Sequence, residues 1–266
     1  MPLAHLAPSS LFPTSWRLLR RLPHDPAAFT QGLAFYGRLV VESTGLYGAS
    51  SLRVVSLTPD RYAVERAVSL QPSEFGEGVA LWPPAAPRHA IQLLWSGSAA
   101  LRWRLPALQP AAPLRVDTGT GEGWGLAPVC RGALALSDGS HVLSFVAPTP
   151  DGALARVAPP LAVTLPSGAP LAGLNALCGA HGWVLANVWG SPCVAVVRPQ
   201  GSGVVASLLD FSVLAAENQG AEDDVLNGLA YRGAANAGAW GGVLLLTGKR
   251  WQFMYEVSLG GLREST

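Results

Sequence analysis

The chain has 266 residues, a formal net charge of +1 and 13% charged residues, about half the usual charged share. That balance gives no electrostatic footprint for nucleic acid or an anionic membrane, and 49% hydrophobic residues with 9 Trp argue against disorder. No apolar run approaches the roughly 18 residues that a membrane helix needs, and the 30 Gly and 22 Pro show no period of three.

From the N-terminus, MPLAHLAPSSLFPTSW lacks a basic n-region and a continuous apolar h-region, so it does not read as an intact signal peptide. Residues 1–14 are expected to form a poorly ordered extension, 15–260 a single domain and 261–266 a tail. Short apolar runs such as Arg38–Val41, Arg53–Val55, Gly182–Leu185 and Gly242–Leu246 are bounded by Gly, Pro, Ser or Asp. That is the punctuation of strands and turns. The stretch Asp210–Asn227 is the best candidate for a short helix or an ordered insertion. Three cysteines, Cys130, Cys178 and Cys193, are too few for a disulfide framework, and the five histidines show no zinc-ligand spacing.

One tetrad recurs, a residue X followed by Gly, Leu or Val, and Ala. It stands at Gln31–Ala34, Glu77–Ala80, Trp124–Ala127 and Asn227–Ala230, with a degenerate copy at Asn175–Cys178. The steps between the X residues are 46, 47, 51 and 52. A repeat of that length with strand content throughout predicts propeller blades. The predicted fold is therefore all-β, a five-bladed β-propeller, with Ser15–Leu19 expected as the outer strand of the last blade. A β-sandwich with coincidental glycine spacing is the alternative.

The X residues should converge at one mouth of the central channel, forming a small polar pocket with aromatic walls. Glu77 is the one carboxylate among them. Between Gly76 and Gly78 and behind Phe75, it is expected to be partly desolvated, which raises a carboxyl pKa and suits proton transfer. A loop-closing role, accepting backbone hydrogen bonds, is the competing reading. Ser137–His141 contains triad residue types but reads as a hairpin turn. The run Glu222-Asp223-Asp224 reads as a solvated loop or cap rather than a calcium site. GEGWG at 121–125 lacks the Lys-Ser/Thr of a phosphate loop.

Several stretches in order carry a family resemblance: PHDPAAFTQGL (23–33), ESTGLYGASSLR (42–53), FGEG (75–78), GEGWGL (121–126), SDGS (137–140), ANVW (186–189), DVLNGLAY (224–231) and TGKRW (247–251). The sequence resembles the plant-type glutaminyl-peptide cyclotransferases, also found in bacteria. The resemblance implies a five-bladed propeller and an enzyme that cyclises the N-terminal glutamine of peptides or proteins to pyroglutamate, releasing ammonia. It casts Glu77 as acid/base and, with Lys249, as catalytic. It implies a pocket of Phe29, Gln31, Phe75, Trp95, Trp124, Asn175 and Trp189. Gln31 and Asn175 are expected to bind the substrate amide. No catalytic metal or other cofactor is implied, in contrast to the zinc-dependent animal enzymes of the same activity. A structural divalent cation in the channel stays an open alternative. A monomer is expected, and relatives are mostly secretory or periplasmic.

The chain departs from the family at Leu174-Asn175-Ala176-Leu177-Cys178, where LNELE is usual, at Leu94 within QLLW, and at Gln252, where proline is common. None of the nine pocket residues is lost. Two other functions compete with this one. A non-catalytic propeller could bind peptide N-termini or a partner, but has less reason to keep Gln31, Glu77, Asn175 and Lys249 together. A lactonase-type hydrolase would gather several carboxylates around a channel calcium, whereas one stands in this ring.

Overall fold

The structure, a computed structural model, describes residues 12–96, 98–130, 132–218, 220–221, 223–233 and 240–262. The fold is all-β with one short helix among the described residues. Most of the expected N-terminal extension, and residues 263–266 of the expected tail, lie outside the described residues. Residues 12–14 and 261–262 belong to strands.

The first strand, β1 (Phe12–Pro23), is followed by five antiparallel sets. Unit 1 is β2 (Thr30–Tyr36), β3 (Leu39–Thr44), β4 (Ser51–Thr58) and β5 (Arg61–Ser69). Unit 2 is β6 (Gly76–Trp82), β7 (His89–Leu94), β8 (Ala99–Arg104) and β9 (Gln109–Val116). Unit 3 is β10 (Leu126–Cys130), β11 (Ala133–Ser137), β12 (Val142–Pro148) and β13 (Ala153–Ala162). Unit 4 is β14 (Leu174–Ala180), β15 (Trp183–Val188), β16 (Cys193–Val197) and β17 (Val205–Asp210). After the helix α1 (Ser212–Ala216), unit 5 is β18 (Leu226–Gly233), β19 (Gly242–Gly248) and β20 (Phe253–Leu262), completed by β1. The Ser15–Leu19 stretch thus lies in the outer strand of the last unit, where β1 pairs with β20. Units 2 and 3 join into one eight-stranded sheet through a short parallel pairing of β9 with β13, Arg115 with Ala153 and Val116 with Leu154.

The apolar runs follow from two-sided burial. Along a strand, successive side chains point to opposite faces. In β3, Val40 faces the core shared with unit 5, and Val41 faces the core shared with unit 2. In β19, Leu244 and Leu246 face unit 4 while Leu245 faces unit 1. Five hydrophobic clusters result, one between each pair of neighbouring units, with unit 5 packed on unit 1. Strands buried on both faces read as continuous apolar runs, not as alternation.

The first strands of neighbouring units also touch, β2 with β6, β6 with β10, β10 with β14, β14 with β18, and β18 with β2. At the tetrads each junction carries a hydrogen bond. Ser43 Oγ donates to Glu77 O, Gly78 N to Trp124 O, Ser137 Oγ to Asn175 O, Asn187 Nδ2 to Leu226 O and Asn227 Nδ2 to Thr30 O.

The tetrad glycine marks this close approach. A Cβ on Gly125 would lie 2.0 Å from Asn175 O and 2.7 Å from Ser137 Oγ. Gly125→Ala is expected to destabilise the fold by about 1–3 kcal/mol through overpacking against backbone. Calorimetry should show a melting point several degrees lower; an unchanged one would mean that this junction tolerates a wider spacing.

Candidate active site

Gln31, Glu77, Asn175 and Asn227 occupy the second position of β2, β6, β14 and β18, so the ring brings them to one end of the assembly. Trp124 stands two residues before β10. Glu77 is buried, and its surroundings are specific. Gln31 Nε2 donates to Glu77 Oε1 at 2.9 Å, and Asn227 Nδ2 donates to Gln31 Oε1. Glu77 Oε2 is buried with no hydrogen-bond partner among the described residues. Burial pushes the Glu77 carboxyl well above the usual carboxylate range; Lys249 pulls it down and Glu122 adds to the rise. Burial likewise lowers Lys249, while Glu77 and Asp223 pull it up. Burial thus disfavours the charge on both groups, and each group's charge favours that of the other.

Lys249 is held in the turn after β19. Its N–H donates to Val225 O at 2.9 Å, and its Nζ lies 4.8 Å from the Phe29 ring centre. Among its described residues, the predicted insertion at 210–227 is helical only over Ser212–Ala216. Its remainder buttresses this turn, because Trp251 Nε1 donates to Asp224 O at 2.8 Å and Arg250 pairs with Asp224 at 3.2 Å. Asp224 is therefore engaged structurally, whereas Glu222 lies outside the described residues. Ser137–His141 is a turn in which Asp138 accepts from Ser140, and buried Ser137 serves the junction with unit 4.

Aromatic contacts continue the wall. Phe29 meets Phe75 edge-on at 6.1 Å, Phe75 meets Trp95 at 5.7 Å, and Tyr47 meets both Phe75 and Trp95. Trp95 and Trp124 both donate their indole N–H to Glu122 Oε2, at 3.1 and 2.9 Å, and Trp124 meets Trp189 at 6.1 Å. Side-chain contacts therefore link the predicted residues Phe29, Phe75, Trp95, Trp124, Trp189 and Lys249 through Glu122, and Gln31 with Glu77. Asn175 stands apart from these contacts, but its Oδ1 is buried without a partner among the described residues. Sequence reasoning missed Glu122, Tyr47 and the bracing role of Asn227. Glu122 and Tyr47 lie within the quoted GEGWGL and ESTGLYG stretches, which were the available signal.

Among the described residues no group of three or more His, Cys, Asp or Glu could hold a metal ion. Half of Trp189 and over a third of Trp95 are exposed to solvent.

The class is that of an all-β protein whose units bring a buried carboxylate, a buried lysine and a run of aromatic side chains to one end. The model of the glutamine cyclotransferase family matches residues 5–259, and the chain belongs to that family. It is 32% identical over 251 residues to a glutaminyl-peptide cyclotransferase of Arabidopsis thaliana, covering 91% of this chain and 70% of the relative. The crystal structure of Myxococcus xanthus glutaminyl cyclase superposes with a TM-score of 0.77 at 30% identity, covering 94% of this chain and all of that one.

Proposed function

We propose that this chain is a glutaminyl-peptide cyclotransferase that converts the N-terminal glutamine of peptides or proteins to pyroglutamate and releases ammonia. One observation carries the reading: buried Glu77, with one oxygen fixed by Gln31 and the other unpartnered among the described residues, within electrostatic reach of the single lysine. We further propose that the five units are the blades of a five-bladed β-propeller, a reading supported by the five inter-unit cores and the closed circuit of first-strand contacts.

The chemistry follows from those groups. The substrate's α-amine attacks its own γ-carboxamide carbon, forming the ring C–N bond. Holding both ends in one pocket gives this intramolecular step a high effective molarity. Glu77 Oε2 accepts the proton the amine sheds and returns it to the carboxamide nitrogen as that C–N bond breaks and ammonia leaves. Lys249 stabilises the negative charge that develops on the carboxamide oxygen. The aromatic walls exclude water that would hydrolyse the amide. Asn175 Oδ1 accepts from the substrate's amide N–H₂. The sequence expectation gave Gln31 a share in that contact. Its carboxamide is instead engaged at both ends, by Glu77 and Asn227, so we assign it to orient Glu77.

The experiment is direct. Purified protein incubated with a Gln-initiated dipeptide should release ammonia, with the matching mass loss in the peptide, and strong zinc chelators should leave the rate unchanged. Absence of turnover by folded protein overturns the reading, and leaves a propeller that binds peptide N-termini.

A further inference from the structure

A buried polar network that the proposed chemistry does not use lies where unit 5 meets unit 1. His24, on the connection between β1 and β2, has a fully buried ring. Its Nδ1 is 2.7 Å from the carbonyl oxygen of Trp251, and its Nε2 is 2.9 Å from Glu42 Oε1. Each ring nitrogen therefore faces an oxygen that accepts when Glu42 is ionised. Glu42, on β3, accepts from Thr30 Oγ1 at 2.7 Å through the same oxygen and from Tyr62 Oη through the other. Burial opposes its charge, but His24 and the hydroxyl donors together hold its carboxyl below the usual range. Backbone bonds tie the same pieces, His24 N to Gln252 O at 2.9 Å and Arg250 N to Ala28 O at 2.8 Å.

The two attachment points of this network flank the site. Thr30 immediately precedes Gln31, which holds Glu77. Trp251 closes the turn that carries Lys249, its N–H donating to Gly248 O at 3.3 Å. Glu77 is thus held from units 1 and 2, whereas Lys249 hangs from unit 5. Their relative position is set across this junction.

We infer that His24 and Glu42 are positioning residues of the active site, whose hydrogen bonds lock the Lys249 turn against the Thr30–Gln31 strand start and so fix the ammonium relative to the Glu77 carboxyl. The kinetic consequence rests on the cyclotransferase reading; the geometric one does not. A displacement of about 1 Å at a reacting group can cost on the order of 10²-fold in rate.

The lone lysine supplies a selective probe. Protein labelled with ¹⁵N-lysine gives one Nζ resonance, that of Lys249. Glu42→Ala is expected to shift that resonance and, at temperatures well below unfolding, to lower kcat at least about tenfold with KM within about threefold, toward the loss that misplacement brings. With its amide nitrogen in the place of Oε1, Glu42→Gln can donate to Nε2 of a His24 ring protonated on Nδ1 and to Thr30 Oγ1, while its oxygen accepts from Tyr62 Oη, so it should keep the resonance and stay within about threefold of the parent kcat, a change too small for a displaced group. Thr30→Val removes one donor beside Gln31 with little change of shape, and should show an intermediate shift and loss; it decides the matter should Glu42→Ala fail to fold. An unmoved Lys249 resonance overturns the inference. So does a folded variant with a lower melting point and an unchanged kcat, or a Glu42→Gln loss as large as that of Glu42→Ala. If the parent protein does not cyclise glutamine, the functional reading fails and the resonance alone decides the positioning role.

Discussion

Glu77→Gln lowers kcat by about 10²- to 10⁴-fold, the span lost with a positioned acid–base group, while the protein stays folded. The substitution is close to isosteric, and its carboxamide oxygen can still accept from Gln31 Nε2, the bond that holds Glu77 at 2.9 Å. What disappears is the proton carried on Oε2, the oxygen without a partner among the described residues. The dependence of stability on pH separates this from a loop-closing role. Burial raises the folded-state pKa of Glu77 above its ordinary value of 4.5. Any stability from this carboxyl is then complete below that ordinary value and is lost as pH rises through the raised folded value. The substituted carboxamide does not titrate, so the melting point of the variant should gain on that of the parent as pH climbs through that window. Thermal scans at several pH values, paired with ammonia-release kinetics, check both halves. A variant that keeps much of its activity but melts far lower would show that Glu77 serves the loop.

The five-unit plan was legible because it rests on local rules. The tetrad glycines Gly32, Gly78 and Gly125 mark places where backbones of neighbouring units meet. The second strands carry apolar runs because both of their faces are covered there, as Val40 and Val41 illustrate. The fourth tetrad was degenerate because Ala176 stands where the others have glycine. The insertion was less legible. Much of Asp210–Asn227 is fixed by Asp224, Asn218 and their partners in the Lys249 turn rather than by helical hydrogen bonds, so among its described residues only Ser212–Ala216 coils.

The site divides in the same way. Residues at repeat positions, Gln31, Glu77 and Asn175, announced themselves by spacing. What each side chain is bonded to did not, because the partners lie far along the chain: Gln31 meets Glu77 46 positions on and Asn227 196 positions on. Glu122 was invisible for a related reason. Its carboxylate matters through two indoles, one 27 residues away, and nothing in its own neighbourhood says that they meet there. His24 and Glu42 likewise pair only because the last unit closes on the first.

Lys249→Arg should lower kcat by about ten- to a hundredfold, the scale of loss when a reacting group is misplaced, and the reason is chemical as well as steric. Lys249 is buried, with its Nζ 4.8 Å from the Phe29 ring centre, and the guanidinium of Arg250 already lies 5.0 Å from the same centre. A second planar guanidinium there has to displace a neighbour or turn away from Glu77, whereas a compact ammonium fits. Overpacking of that kind costs about 1–3 kcal/mol, a fall of roughly 2–12 °C in melting point for a chain of this size. The larger loss is in proton transfer. Burial lowers the pKa of the lysine, and Glu77 and Asp223 pull it up. Arginine stays charged at all working pH values. A permanent cation beside Glu77 favours the carboxylate and lowers its pKa, leaving less of the acid form that must protonate departing ammonia. The acid limb of the rate profile should therefore move to lower pH in the variant, and the plateau should fall. Parent-like rates with an unmoved profile would mean that the position needs only a positive charge, and that a chain with 17 arginines and one lysine keeps that lysine here by chance.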